Sequence, residues 1–122
     1  MILVVDDEPT ITELLTDILE FHGYPVMVAH DAQQALDLLP LQRPEAILVD
    51  LMMPSVDGLS LAVALRHHPG ARDVPLIAMS ASGSALALAD RLGDFDAYVT
   101  KPFENDTLVS VVERFLPRTG VA

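Results

Sequence analysis

The sequence contains no cysteine and no tryptophan, and it is poor in positive charge. Without cysteine there is no disulfide framework and no thiolate metal site, a composition that suits a reducing compartment. Aromatic residues are only 5 % of the chain while hydrophobic residues are 51 %. A core must therefore be assembled from Leu, Val, Ile, Ala and Met in close-packed layers. No apolar run approaches the roughly 20 residues that span a bilayer, and Met1-Ile2-Leu3-Val4-Val5 meets Asp6 before it could serve as a signal peptide. The expected location is cytoplasmic. Lys and Arg together number 7 against 18 Asp and Glu, for a net charge of −11. That balance opposes the counterion release on which phosphate-backbone binding depends, so direct nucleic-acid contact is not expected. Neither a Gly-x-x-x-x-Gly-Lys nor a Gly-x-Gly-x-x-Gly run occurs, which removes the usual phosphate-cradling loops and leaves Ser82 and Gly83 as ordinary turn residues.

What is present is an alternation. Ile2 to Val5, Val26 to Ala29, Ala46 to Val49 and Leu76 to Met79 are short apolar runs of strand length closed by polar or turn residues, and Ala97 to Thr100 forms a shorter fifth. Between them lie helical patterns. Ile11, Leu14, Leu15, Ile18 and Leu19 recur at i, i+3, i+4, i+7 and i+8, with Pro9 in the first turn and Gly23 at the C-terminal cap. Asp31 and Gln34 have capping-box spacing before Ala35, Leu38 and Leu39, and Pro40 closes that helix. Further helices are expected from Leu59 to His67, from Ala85 to Leu92 ending near Gly93, and along the stripe Leu108, Val111, Val112, Phe115 and Leu116. Near-continuous apolar strands alternating with helices predict a parallel sheet covered on both faces through right-handed crossovers. The expected fold is a flavodoxin-like, doubly wound (βα)5 sheet of order 2-1-3-4-5, one domain over residues 1–117 with a short tail at 118–122.

In such sheets ligands bind beyond the carboxyl ends of the strands. Here those ends carry Asp6-Asp7-Glu8, Asp50, Ser80 and Lys101, on strands the expected order makes neighbours. Taken singly, each acid reads equally well as a helix cap or a solvated turn. Converged aspartates repel one another unless a cation intervenes, and an oxygen-only donor set suits hard Mg²⁺ better than zinc. A carboxylate can attack phosphorus when metal and fixed positive charge neutralise the transferring oxygens. Asp50 is the central candidate nucleophile, with Lys101 as a compact ammonium able to pair with it and Ser80 as a hydroxyl donor.

The blocks Ile2-Leu3-Val4-Val5-Asp6-Asp7-Glu8, Val49-Asp50-Leu51-Met52-Met53-Pro54 with Asp57-Gly58, Ser80-Ala81, and Lys101-Pro102-Phe103 resemble those of response-regulator receiver domains, in order and over essentially the whole chain. The resemblance implies that Asp50 accepts a phosphoryl group from a histidine kinase or phosphotransfer protein, in a self-catalysed, metal-dependent phosphorylation and dephosphorylation rather than as a turnover enzyme. It implies that Asp6 or Asp7, Asp50 and the Met52 backbone carbonyl surround Mg²⁺ or Mn²⁺, and that Lys101 contacts the phosphate. Ser80 matches the switch hydroxyl that moves toward the phosphoryl group, Tyr98 the aromatic that turns inward with it, and Lys101-Pro102 a bond commonly cis in the family. The face of helix 4, strand 5 and helix 5 would then signal to a downstream target or output domain, as a monomer or a phosphorylation-dependent dimer. The chain departs from the family pattern between Ser80 and Gly93, which is shorter than usual, and at Gly93-Asp94-Phe95-Asp96-Ala97-Tyr98, which is longer. A stand-alone receiver and a receiver cut from a longer regulator or a hybrid kinase fit equally.

Two rivals are weaker. A phosphorylation-independent receiver-like interaction module would not need Asp6, Asp7, Asp50, Ser80 and Lys101 together. A metal-dependent phosphatase with an aspartyl nucleophile would need an Asp-x-Asp-x-Thr block, which is absent. Adjacent His67 and His68 point about 100° apart on a helix and read as a helix end, as does His22, rather than as metal ligands. Met52 is expected to offer its backbone carbonyl and Met53 to pack beneath its loop.

Overall fold

A computed structural model of the chain describes residues 1–52 and 58–116. Met53, Pro54, Asp57 and the 118–122 tail lie outside the described residues. Five strands, β1 (Ile2–Val5), β2 (Val26–Ala29), β3 (Ala46–Asp50), β4 (Leu76–Ser80) and β5 (Ala97–Thr100), alternate with α1 (Pro9–Phe21), α2 (Ala32–Leu38), α3 (Gly58–Arg66), α4 (Gly83–Leu92) and α5 (Asn105–Glu113). The strands form one parallel sheet of order β2-β1-β3-β4-β5, the expected flavodoxin-like (βα)5 arrangement.

Strand side chains alternate between two cores. Leu3, Val5, Ile47, Val49, Leu76 and Ala78 pack with α2, α3 and α4 residues such as Ala35, Leu61, Leu65 and Ala89. Ile2, Val4, Leu48, Ile77, Met79 and Val99 pack on the other face with Leu15, Ile18, Leu19, Leu108 and Val112 of α1 and α5. Burial on both faces is why the strands read as unbroken apolar runs. Among the described residues, no helix is long and apolar enough to cross a membrane.

Five helical details differ from expectation. On α1, Leu14 is 43 % exposed and Thr12 is buried in its stead, because Leu14 lies at the edge of the arc defined by Leu15, Ile18 and Leu19. On α5, Val109 is buried whereas Val111 and Phe115 are only half-buried, and Phe115 and Leu116 lie past the helix end. Helix α3 runs Gly58–Arg66, one residue earlier than expected. Helix α4 begins at Gly83, because the Ser82 hydroxyl caps it by accepting the Ala85 N–H at 3.2 Å. The α2 cap forms as expected at Asp31, whose carboxylate accepts the Gln34 N–H at 2.8 Å, but the returning Gln34 Oε1 takes the His30 N–H.

Candidate functional site

The strands deliver their polar ends to one edge because their registers are flush: Val5 pairs with Val49, Asp50 with Met79 and Ser80 with Thr100. Asp6 is fully buried, and its Oδ1 accepts the Glu8 N–H at 3.0 Å, closing the turn that leads to Pro9 and α1. Asp50 is 3 % exposed, and its Oδ1 accepts the Met52 N–H at 3.0 Å. Both carboxylates therefore keep a second oxygen for another partner.

That partner is Lys101, the chain's single lysine. Its Nζ donates to Asp6 Oδ2 at 2.8 Å and lies 3.5 Å from Asp50 Oδ2. Lys101 is aimed by its backbone, whose N–H donates to the Ser80 carbonyl at 2.9 Å, and the Lys101–Pro102 peptide is cis. Burial pushes the Asp50 carboxyl above its ordinary range and the Asp6 charge adds to this, while the Met52 N–H and Lys101 oppose it without prevailing. For Lys101 burial alone would lower the pKa, but the hydrogen bond and charge of Asp6 and then those of Asp50 outweigh it and the net shift is upward.

Ligand oxygens of Asp6, Asp7, Glu8 and Asp50 all lie within 4.8 Å of one another. Four carboxylates that close, with hard oxygen donors and partial exposure at Asp7 and Glu8, fit a hard divalent cation that keeps some of its waters. Glu8 was not among the ligand candidates read from the sequence. Its signal was its place in the Asp6-Asp7-Glu8 run, where the turn after β1 folds it back over the strand ends. An open cleft above the cluster is lined by Glu8, Asp50, Met52, Ala81, Ser82 and Lys101. The Met52 side chain is 63 % exposed at its rim.

Ser80 is fully buried, and its hydroxyl oxygen accepts the Ser82 N–H at 3.0 Å. Tyr98 stands apart from the acids. Its ring is half-buried against the α4 side of the sheet, 6.5 Å from the Phe95 ring. Burial raises its hydroxyl pKa, with further increments from the neighbouring Asp90 carboxylate and from Asp96. The histidines set aside earlier bond to nearby backbone: His22 Nδ1 to the Ile18 carbonyl at 2.9 Å, His67 Nδ1 to the Val63 carbonyl at 2.8 Å, and His68 Nδ1 to the Gly70 N–H at 2.9 Å.

A second constraint on Asp50 comes from Gly58, the first residue of α3. A Cβ there would stand 2.6 Å from the Asp50 carbonyl oxygen and 2.8 Å from Leu51 Cα. Only glycine permits this approach, and it seats the start of α3 directly on the backbone that carries the central acid.

Comparison with known proteins follows the same lines. A family model described as the response regulator receiver domain matches residues 2–113. The chain is similar to the response regulator MprA of Mycobacterium avium, 38 % identical over 97 % of this chain and 51 % of the relative. It thus spans about half the length of the curated relatives it matches. Among solved structures, it superimposes on a putative response regulator from Chloroflexus aurantiacus with a TM-score of 0.86 at 33 % identity, covering 93 % of this chain and 94 % of that one. The receiver domain of the Pseudomonas aeruginosa sensor histidine kinase PA1611, solved with a magnesium ion coordinated in the active site cleft, aligns with a TM-score of 0.84 at 31 % identity over 93 % and 94 % of the two chains.

Proposed function

Because this chain belongs to the response regulator receiver family, we propose that it accepts a phosphoryl group on Asp50 from a histidine kinase or histidine phosphotransfer protein, and that the adduct alters the α4, β5 and α5 face presented to a downstream target or output domain. The observation that carries this reading is the shared ammonium: Lys101 Nζ sits 2.8 Å from Asp6 and 3.5 Å from Asp50, two buried carboxylates on adjacent strands.

Asp6, Asp7 and Asp50, with Glu8 beside them and the Met52 carbonyl as a neutral donor, are the residues that would hold Mg²⁺ or Mn²⁺. The cation would supply positive charge against the phosphoryl oxygens and lift the mutual repulsion of the acids. Asp50 presents a carboxylate oxygen to phosphorus, and the new O–P bond forms as the bond to the donor's imidazole nitrogen breaks. Lys101 neutralises a phosphoryl oxygen as charge passes from the carboxylate to the phosphate. The Ser80 hydroxyl then exchanges its bond from the Ser82 N–H for one donated to the phosphate, and Tyr98 enters the space this opens. Hydrolysis by water attack at phosphorus returns Asp50 to its carboxylate. The phosphorylation-independent module is not favoured, since Asp6, Asp50 and Lys101 are all present and in contact.

The test is intact-mass measurement after incubation with Mg²⁺ and acetyl phosphate. One acid-labile phosphoryl group should appear on the wild type and none on Asp50→Asn, and an adduct of equal yield on the variant would sink the assignment.

A further inference from the structure

We propose that Arg66 holds the C-terminal end of α4 as a fixed pivot, so that phosphorylation displaces the N-terminal end of this helix about Gly93 rather than moving the helix as a whole. The proposal rests on the switch reading given above and adds the residues that shape the response.

Helix α4 is loosely seated: Ala89 is its only buried residue, and Leu88 and Leu92 are 41 % and 55 % exposed. With Ala85, Leu86 and Ala89 as its residues against the core, its position depends strongly on its ends. The N-terminal end hangs on the switch itself, because the capping residue Ser82 donates its N–H to Ser80 Oγ at 3.0 Å. When that oxygen moves toward a phosphate, Ser82 loses its partner or follows it.

The C-terminal end is tied to the frame. Helix α4 stops at Gly93, left-handed with φ 78°, and the chain runs through Asp94, Phe95 and Asp96 into β5. Arg66, in the last turn of α3, reaches this loop with its whole guanidinium. Nε and Nη2 both donate to the Asp94 carbonyl, at 3.0 and 2.7 Å, and Nη2 also pairs with Asp96 Oδ2 at 2.8 Å. Nη1 donates to the Arg72 and Val74 carbonyls at 3.2 and 2.9 Å, binding the α3–β4 loop to the same point. Asp96 in turn grips Leu76 from both sides, its carboxylate accepting the Leu76 N–H at 2.8 Å and its own N–H donating to the Leu76 carbonyl at 2.7 Å. Phe95 between them is buried in the core. A planar fork with several donors fixes a loop in a way a single ammonium does not. The longer Gly93–Asp96 connection is thus a braced segment, and the αL glycine beside it is where the backbone can turn.

The experiment follows amide hydrogen exchange in the full chain with and without beryllofluoride and Mg²⁺, while ¹⁹F NMR reports separately whether the mimic has bound at Asp50. In wild type the change in exchange should be roughly threefold or more larger over residues 82–87 than over 93–96. In Arg66→Gln the 93–96 amides should join the response, with the bound-fluoride signal unchanged. Asp96→Asn, a milder variant that keeps the two Asp94 bonds, should give an intermediate spread. Equal responses at both ends in wild type, or a wild-type gradient retained in both variants, overturns the pivot alone. A bound-fluoride signal with no response anywhere in α4 overturns the switch reading and the pivot with it.

Discussion

Lys101 lies closer to Asp6 than to Asp50, its Nζ donating to the fully buried Asp6 carboxylate at 2.8 Å while standing 3.5 Å from Asp50 Oδ2. In this state the ammonium is held mainly by Asp6 and not by Asp50, the proposed phosphoacceptor. The lysine is thereby kept charged and placed, and Asp50 is left the less compensated of the two carboxylates.

Removing Lys101 should therefore expose the repulsion directly. Lys101→Met leaves Asp6 as a buried anion with the Glu8 N–H as its remaining bond, and should destabilise the metal-free protein by about 3 kcal/mol. Urea denaturation measures this, and millimolar Mg²⁺ should recover part of the loss. A loss no larger than that of an exposed-residue substitution would mean that the pair contributes nothing net.

Asp50→Asn should stabilise the metal-free protein near neutral pH. Burial raises the Asp50 pKa above the ordinary 3.8, so the native state favours the protonated form. That contribution to stability is complete below the unfolded value and is lost as pH rises through the raised native value. The variant should gain on the order of 1 kcal/mol, or roughly 4 °C in Tm, at pH 7, and the gain should shrink to nothing in acid. Melting curves across pH check the trend, and a gain that grows toward low pH would reverse the sign.

Mg²⁺ should raise the wild-type melting temperature by mass action, about 1.4 kcal/mol at ten times its Kd. Asp6→Asn and Asp7→Asn should each blunt the effect, and Glu8→Gln should blunt it less because Glu8 is exposed. Equal blunting by all three would make Glu8 a full ligand.

Gly58→Ala should be destabilising by about 2–3 kcal/mol, since its Cβ would sit 2.6 Å from the Asp50 carbonyl oxygen and neither backbone can yield freely. It should also slow phosphorylation by acetyl phosphate, because relief requires moving the strand end that carries Asp50, the proposed acceptor. A variant as stable and as reactive as wild type would show that the two segments separate easily.

Ser80→Ala should uncouple the site from Tyr98 while leaving Asp50 reactive. Amide shifts around Tyr98 and residues 108–115 on adding beryllofluoride should be large in wild type and small in the variant. Equal shifts in both would remove Ser80 as the coupling residue.

The strands and their order are legible because doubly covered strands must be apolar along their whole length, and the convergence of Asp6, Asp50 and Lys101 is legible because polar residues close those runs. What stayed hidden depends on distance in three dimensions. Nothing near Arg66 in the sequence announces that its partners are Asp94 and Asp96, and Gly58, legible only as part of the Asp57-Gly58 block, shows its reason once the Asp50 backbone is placed against it. The start of α4 is hidden for a local reason, since Gly83 is a poor helix former that the Ser82 cap overrules. Leu14 reads as inward because it is apolar and at helical spacing, yet the buried arc of α1 is narrow enough to exclude it.

The flush register of β1, β3, β4 and β5 makes strand pairing a measuring device for chemistry. A slip of one residue in β3 would carry Asp50 about 3.3 Å along the strand and turn its side chain to the opposite face of the sheet, away from Lys101 and Asp6. Apolar core residues beside Asp50, such as Val49 and Met79, thus act as alignment marks for the proposed reaction while contributing no polar side chain to it. Reactivity toward a small phosphodonor should accordingly be a sensitive reporter of whether the sheet has closed in its native alignment, able to distinguish a correctly paired chain from a compact one that is merely folded in outline.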